Sequence, residues 1–274
     1  MSIANSTKEF FQREDVVHAL RSNDTPQLVD IIKTVYYNTG NFNPSEVYAI
    51  LLTSGIDVLQ YLDSVPTNFL NRQDMVSKIN IPGNIKSIDD FAFGENIRDI
   101  TFSPTNNLTH IGQFAFSRCD IQKIELPDSI SHIGSRAFEE CLSLQDVHMP
   151  SNLTGISMGL FFNCRNLKKI DVPASVSTID NSAFCCCFNL SDISLHEGLV
   201  RIGKAVFDEC RSLKTIRIPG TVNHIDPAAF QNTQLKDIYY GGTQQQWKDF
   251  EANNGKQFRI RGRIVHCSDG DINY

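Results

Sequence analysis

Four groups of residues carry side chains whose types and spacing could do chemistry. Glu125, His148 and Asp171 follow one another at steps of 23 residues, a carboxylate, an imidazole and a carboxylate. Brought side by side they would imitate an acid/base site. Cys185, Cys186 and Cys187 form a run, and Cys119, Cys141, Cys164, Cys210 and Cys267 bring the thiols to eight. Such density raises zinc, but zinc needs further ligands in tetrahedral geometry, and no CxxC pair supplies them. His110, His132 and His224 each precede an isoleucine, and the first two could bind a metal or sense pH, although tolerance at a surface position is the plainer account. Arg259, Arg261 and Arg263 alternate and could form one basic edge for an anionic partner. A charged edge strand is equally the ordinary defence against unwanted pairing. No Walker loop, GxGxxG, HExxH or GxSxG is present.

The elements that would position these residues recur with a fixed period. Phenylalanine marks it at Phe93, Phe116, Phe138, Phe161, Phe184, Phe207 and Phe230, in steps of 23, 22, 23, 23, 23 and 23. A period of that size is the signature of a solenoid. Segments in phase with it read as strands: 77–82, 98–103, 122–127, 145–150, 168–173, 191–196, 214–219 and 235–240. In each, alternate residues point to opposite faces, so Ile170 and Val172 go inward while Lys169 and Asp171 go outward. Proline ends most of them because it cannot donate to a ladder. A second inward mark recurs at Ile88, Ile111, Ile133, Ile156, Ile179, Ile202 and Ile225. The phenylalanine follows on a predicted helical turn, with the cysteine three residues later on the same face. That phase assigns Cys119, Cys141, Cys164, Cys187 and Cys210 to a core column rather than to disulfides or a metal; free Cys is small, soft and readily buried.

One unit cannot bury its own apolar edge, so neighbours must stack. Stacking sorts the outward residues into two columns. One runs Thr101, Glu125, His148, Asp171, Ser194, Arg217, Tyr239, and its neighbour runs Asp99, Lys123, Asp146, Lys169, Asp192, Thr215, Asp237. Seven strands at the usual spacing lay out a face on the order of 30 Å long. Its mixed charge suits a protein partner better than a phosphate backbone. The Glu125–His148–Asp171 row lacks a converging nucleophile and a pocket, so cross-strand charge pairing is the plainer account.

The beat fails at both ends. Residues 1–70 read as short helices: one capped by Ser6 or Thr7, one capped by Thr25 with Pro26 at its first position and stopped by Gly40, and one opened by Pro44 and interrupted by Gly55. This part holds eight Asp/Glu against four Lys/Arg, and the whole chain of 274 residues carries a net charge of −6. That balance gives no basic footprint for nucleic acid. No apolar run of transmembrane length and no secretory leader is visible, so a cytoplasmic protein with reduced thiols is expected. Without secretion the N-x-Ser/Thr triplets at Asn5, Asn107, Asn152 and Asn189 carry no glycosylation meaning. After Tyr240, Gly241-Gly242-Thr243, the only tryptophan (Trp247) and an alternating stretch over 256–266 read as a cap with a closing strand.

The run Leu213-Lys-Thr-Ile-Arg-Ile-Pro-Gly-Thr-Val-Asn-His-Ile-Asp-Pro-Ala-Ala-Phe230 resembles the BspA-like leucine-rich repeats, and Tyr239 to Trp247 looks like the cap that often ends such arrays. Val65 to Leu70 resembles the lead-in of short arrays seen in bacteriophage and bacterial proteins. The resemblance covers about residues 75–250. It implies a curved, parallel-stranded solenoid, and with the helical reading of the first residues the expectation is an α+β chain: a helical N-terminal domain (1–70), a right-handed leucine-rich-repeat solenoid of about seven repeats with a parallel β-sheet face (71–240), and a C-terminal cap and tail (241–274). The resemblance implies recognition rather than catalysis, although fold alone does not decide function. The expected function is a non-enzymatic protein–protein interaction protein with no cofactor and no small-molecule, membrane or nucleic-acid partner. One specific version is a phage-encoded factor that binds and inhibits a host protein. The alternatives are a cell-surface adhesin and an enzyme with its site in the N-terminal helices. The candidate contact residues are Lys123, Glu125, Asp146, His148, Lys169, Asp171, Asp192, Ser194, Arg217 and Tyr239.

Overall fold

The computed structural model describes residues 3–39, 44–71, 74–254 and 263–274. Four helices open the chain: α1 (Ile3–Gln12), α2 (Glu14–Ser22), α3 (Thr25–Thr39) and α4 (Pro44–Thr53), followed by a 3-10 turn at Val58–Tyr61. The expected caps need correction. Thr7 lies inside α1, and its hydroxyl donates to Glu46 Oε2 of α4 at 2.6 Å. Thr25 is the first residue of α3, while the Asp24 carboxylate accepts from the Gln27 amide at 3.0 Å, which is what a cap does. Gly40 lies outside the described residues. Gly55, at φ +84°, makes the break after α4.

The coils then contribute, in chain order, β1 (Ser64–Val65), β2 (Lys78–Ile81), β3 (Ser87–Ile88), β4 (Asp99–Phe102), β5 (His110–Ile111), β6 (Lys123–Glu125), β7 (His132–Ile133), β8 (Asp146–His148) and β9 (Gly155–Ile156). They continue with β10 (Lys169–Asp171), β11 (Thr178–Ile179), β12 (Asp192–Ser194), β13 (Arg201–Ile202), β14 (Thr215–Ile218), β15 (His224–Ile225) and β16 (Asp237–Tyr240). The short strands pair in parallel as β1-β3-β5-β7 and β9-β11-β13-β15. The longer ones pair as β2-β4, β6-β8, β10-β12 and β14-β16. Between these pairs β4 lies against β6, β8 against β10 and β12 against β14 without strand pairing, so the expected sheet face is laid in segments. Burial alternates along the strands as the pleat requires: in β10, Ile170 is buried and Lys169 and Asp171 are exposed.

The phenylalanines form one stack through the array. Neighbouring rings from Phe93 to Phe230 sit 5.1–5.8 Å apart with interplanar angles of 2–16°. Phe69 begins the column edge-on to Phe93 at 6.3 Å, and Tyr48 of α4 lies 4.8 Å from Phe69. The helices are thus joined to the coils, and one buried cluster runs from Phe10 to Val265.

The segment carrying each phenylalanine is not the helical turn that was expected. Around Phe116, Phe138, Phe161, Phe184 and Phe207 the residues two before and two after take left-handed backbone, as Arg136 and Glu140 do around Phe138 and Ser182 and Cys186 around Phe184. For a non-glycine residue that costs roughly 1–2 kcal/mol. The compensation is a backbone ladder to the next coil: the amides of Arg136, Phe138 and Glu140 donate to the carbonyls of Met158, Leu160 and Phe162 at 2.8–3.0 Å. The buried cysteines close the same turns. The thiols of Cys141, Cys164, Cys187 and Cys210 donate to the carbonyls of Phe116, Phe138, Phe161 and Phe184, one coil back, at 3.0–3.2 Å. Burial pushes the pKa of Cys164, Cys187 and Cys210 well up, which holds them as S–H donors.

All eight cysteines are free. A native sample treated with a thiol reagent is therefore expected to label fast at the partly exposed Cys186 and Cys267. Cys119, Cys141, Cys164, Cys187 and Cys210, all fully buried, should label only on denaturation. Peptide mapping of the labelled sites checks this, and a denatured count below eight would contradict it.

After β16 the chain forms α5 (Gln244–Asn254), β17 (Ile264–Cys267) and β18 (Gly270–Asn273). β17 adds in parallel to β16, and β18 turns back antiparallel on β17. Trp247 is buried, 5.1 Å from Tyr240 and 5.4 Å from Phe250, and its indole N–H donates to Tyr274 Oη at 3.1 Å. The alternating stretch begins outside the described residues, and Arg259 and Arg261 lie there. Arg263 is not a free basic edge: its guanidinium donates to the Phe230 carbonyl and to Thr233 Oγ1 at 3.3 and 3.2 Å.

Candidate functional site

The register of the long strands sets the outward residues side by side in the columns read from the sequence. Lys123 pairs with Asp146 and Glu125 with His148. Lys169 pairs with Asp192 and Asp171 with Ser194. Thr215 pairs with Asp237 and Arg217 with Tyr239. The two columns differ in what their side chains do.

The carboxylate–His–carboxylate row does not assemble. Glu125 Oε1 is bound by Lys123 Nζ, two residues back on the same strand, at 2.8 Å. That contact lowers the Glu125 pKa and raises that of Lys123. Asp171 Oδ1 is taken by His196 Nε2 at 2.8 Å. The His148 ring makes no hydrogen bond or ion pair among the described residues, so nothing orients it as a base. Position 196 could have drawn notice, because His stands there where the aligned strands end in Pro127, Pro150, Pro173 and Pro219.

Elsewhere the face is knitted by exposed pairs, Lys78 with Asp99 at 3.5 Å and Lys169 with Asp192 at 3.9 Å. Such pairs contribute about 0–1 kcal/mol each. They order the surface without being needed for the fold. Asp146 and Arg217 have no ion-pair partner among the described residues.

The C-terminal end of the face is a stack that sequence reading did not find. The Arg217 guanidinium lies 4.8 Å from the Tyr239 ring centroid, and Tyr239 stacks on His266 at 4.6 Å and 17°. His266 Nε2 faces Asp237 Oδ1 at 3.2 Å and Nδ1 faces Asp271 Oδ1 at 2.9 Å. The bond to Asp237, and then that to Asp271, raises the His266 pKa above the ordinary imidazole value. His266 and Asp271 fall outside the repeat, so no phase argument places them. Arg and Tyr are the side chains that most often carry the energy of a protein contact.

On the opposite ladder His110 and His132 stack at 4.7 Å and 7°. Burial, and then His110, lowers the His132 pKa. His224 lies beside Arg201 in the register, on the fourth coil after the break between β7 and β9. Parallel imidazole planes do not converge on one ion. Among the described residues no group of three or more His, Cys, Asp or Glu is arranged to hold a metal. No helix among them is long and apolar enough to cross a membrane.

Comparison with known proteins bears on the fold. A family model described as BspA type leucine rich repeat region matches residues 63–185 and 133–253, in six copies. A leucine-rich repeat protein from Bacteroides ovatus is similar in structure at 23% identity and a TM-score of 0.51, over 66% of this chain and 59% of that one. Another, from Eubacterium ventriosum, is similar at 22% identity and a TM-score of 0.54, over 61% of this chain and 46% of that one. This chain thus spans less than two thirds of either. No curated protein matches it.

Proposed function

We propose, from the premise that this chain belongs to the BspA type leucine-rich repeat family, that it is a non-enzymatic interaction protein that docks a protein partner on the outward face of its long strands. The observation that carries this reading is the registered, mixed-charge face that ends in the Arg217–Tyr239–His266 stack. An exposed anchor of stacked aromatic and guanidinium groups beside a polar field is the composition protein interfaces favour. The phenylalanine stack beneath holds that face stiff, which reduces the ordering cost of binding.

The Glu125, His148 and Asp171 side chains are spoken for or unoriented, which favours a scaffold over an enzyme. A reducing compartment, and so the cytoplasm, fits the thiol ladder, since an oxidised sulfur cannot donate to the phenylalanine carbonyls. The narrower idea of a phage-encoded factor that blocks a host protein draws no support from the fold or from the two solved bacterial proteins, and no specific observation favours an adhesin.

The test is capture from cell lysate with the full chain and with a Glu125→Lys/Asp171→Lys/Arg217→Glu variant. These residues are exposed or make only surface contacts, so the variant is expected to fold. A protein enriched by the wild type and lost with the variant supports the reading. Equal enrichment by both would remove the face from the account.

A further inference from the structure

Three of the eight cysteines, Cys185, Cys186 and Cys267, do not take part in the thiol ladder, and the first two are neighbours. Cys185 and Cys186 occupy the two positions after Phe184, which other coils fill with Ser117 and Arg118, Glu139 and Glu140, or Asp208 and Glu209. Neither thiol is bonded to a backbone carbonyl. Their sulfurs instead lie 3.7 Å apart, facing each other. Adjacent residues of a strand project to opposite sides. Here the left-handed backbone of Cys186, φ +62°, turns both sulfurs the same way. That backbone is imposed by the fold, because the Cys186 amide must reach the Asp208 carbonyl of the next coil, at 2.8 Å.

The separation suits a single bridging atom. Trivalent arsenic is trigonal-pyramidal, so two sulfurs bound to it stand a few tenths of an ångström closer than the observed 3.7 Å, a closure that small side-chain rotations supply. A metal cage would need more ligands than the flank of the solenoid offers. A centre content with two sulfurs does not. Cys186 is partly exposed and Cys185 is 7% exposed, so the pair opens to solvent on one side.

We propose that Cys185 and Cys186 form a preorganised dithiol site for a trivalent arsenical, a thiophilic ligand class that takes two sulfurs on one atom. The reaction balances without an oxidant. Two S–H bonds and the As=O of an organoarsenic(III) oxide become two S–As bonds, and both thiol protons leave with the oxygen as one water. Neither sulfur nor arsenic changes oxidation state. Cys186 alone answers to a monofunctional thiol reagent, whereas this ligand draws on both sulfurs. The Cys185 pKa is pushed up to about 12, first by burial and then by the neighbouring Cys186, so little nucleophilic thiolate forms there. A bridging ligand needs only the geometry. The five ladder thiols are enclosed in the core and cannot compete while the chain is folded.

The experiment is native mass spectrometry of the folded full chain, reduced with a phosphine, with phenylarsine oxide as the probe. The wild type is expected to gain one adduct whose mass corresponds to loss of one water. Cys185→Ser and Cys186→Ser should each abolish it, and Cys267→Ser should keep it. A dithiol chelator should strip the adduct, whereas an equal concentration of thiol groups from a monothiol should not. Circular dichroism establishes that each variant is folded, and Cys186, half out of the core, is the substitution least able to disturb packing. No adduct on the folded wild type, or an adduct that survives Cys186→Ser, would overturn the proposal.

Discussion

Phe161→Ala is expected to remove about 3–5 kcal/mol of stability, the usual cost of truncating a fully buried aromatic. Phe161 is 0% exposed and lies between Phe138 at 5.5 Å and Phe184 at 5.7 Å, so the void it leaves is bounded by rings fixed by their own coils. Those rings cannot fill it without breaking backbone bonds such as Phe161 N–H to the Ala183 carbonyl, at 2.8 Å. Stability of a solenoid is close to a sum of nearest-neighbour terms, so one defect in the middle weakens two interfaces. Phe91→Ala is the control. It deletes an equal ring stacked on Phe114 at 4.8 Å, but Phe91 is 43% exposed, and the loss should stay within about 1.5 kcal/mol. Urea unfolding followed by circular dichroism separates the two; equal losses would mean that the ring column does not support the coils.

Gly134→Ala is expected to cost about 1–3 kcal/mol, as overpacking does when neighbours cannot rotate away. A Cβ there would stand 2.6 Å from the Gln113 nitrogen and 2.7 Å from the Gly112 carbonyl carbon. Both are backbone, so the coils themselves must separate. Gly155→Ala offers a graded comparison. Its Cβ would meet the Thr178 hydroxyl at 3.0 Å, which a rotation of that side chain relieves, and the Thr178 carbonyl oxygen at an ordinary 3.6 Å. The order of loss should therefore be Gly134 above Gly155. The reverse order would show that coil spacing is softer around β5 and β7 than around β9 and β11.

The repeat is legible because the same packing problem is solved in each coil. A fixed period gave Phe161 and Cys164 their buried places and Lys169 and Asp192 their register. What escapes is whatever the period does not repeat. The turn around each phenylalanine was misread because residues such as Arg136 and Glu140 adopt left-handed backbone that their types do not advertise. Inter-coil hydrogen bonds impose it, and those become visible only once the coils are stacked. The Glu125–His148–Asp171 row follows in order along the face, but the cross-strand charge pairing expected within it does not form. Register fixes Cα positions, whereas the partner of Glu125 is decided by the reach of Lys123, and that of Asp171 by a histidine two residues beyond the strand. Thr7 was read as a cap from its type and local spacing, yet its partner, Glu46, is 39 residues away. Separation in sequence likewise hid the stack at the end of the face, where His266 arrives beside Tyr239 only after α5.

The most direct test of the central claim is a binding titration of the captured partner against three folded forms of the chain. These are the wild type, the Glu125→Lys/Asp171→Lys/Arg217→Glu face variant, and a Glu9→Lys/Asp30→Lys variant of the exposed helix surface. The account expects the face variant to bind at least about tenfold more weakly, a loss of about 1.4 kcal/mol, and the helix variant to bind like the wild type. Undiminished binding by the face variant, or a loss confined to the helix variant, would place the contact on the N-terminal helices and contradict it.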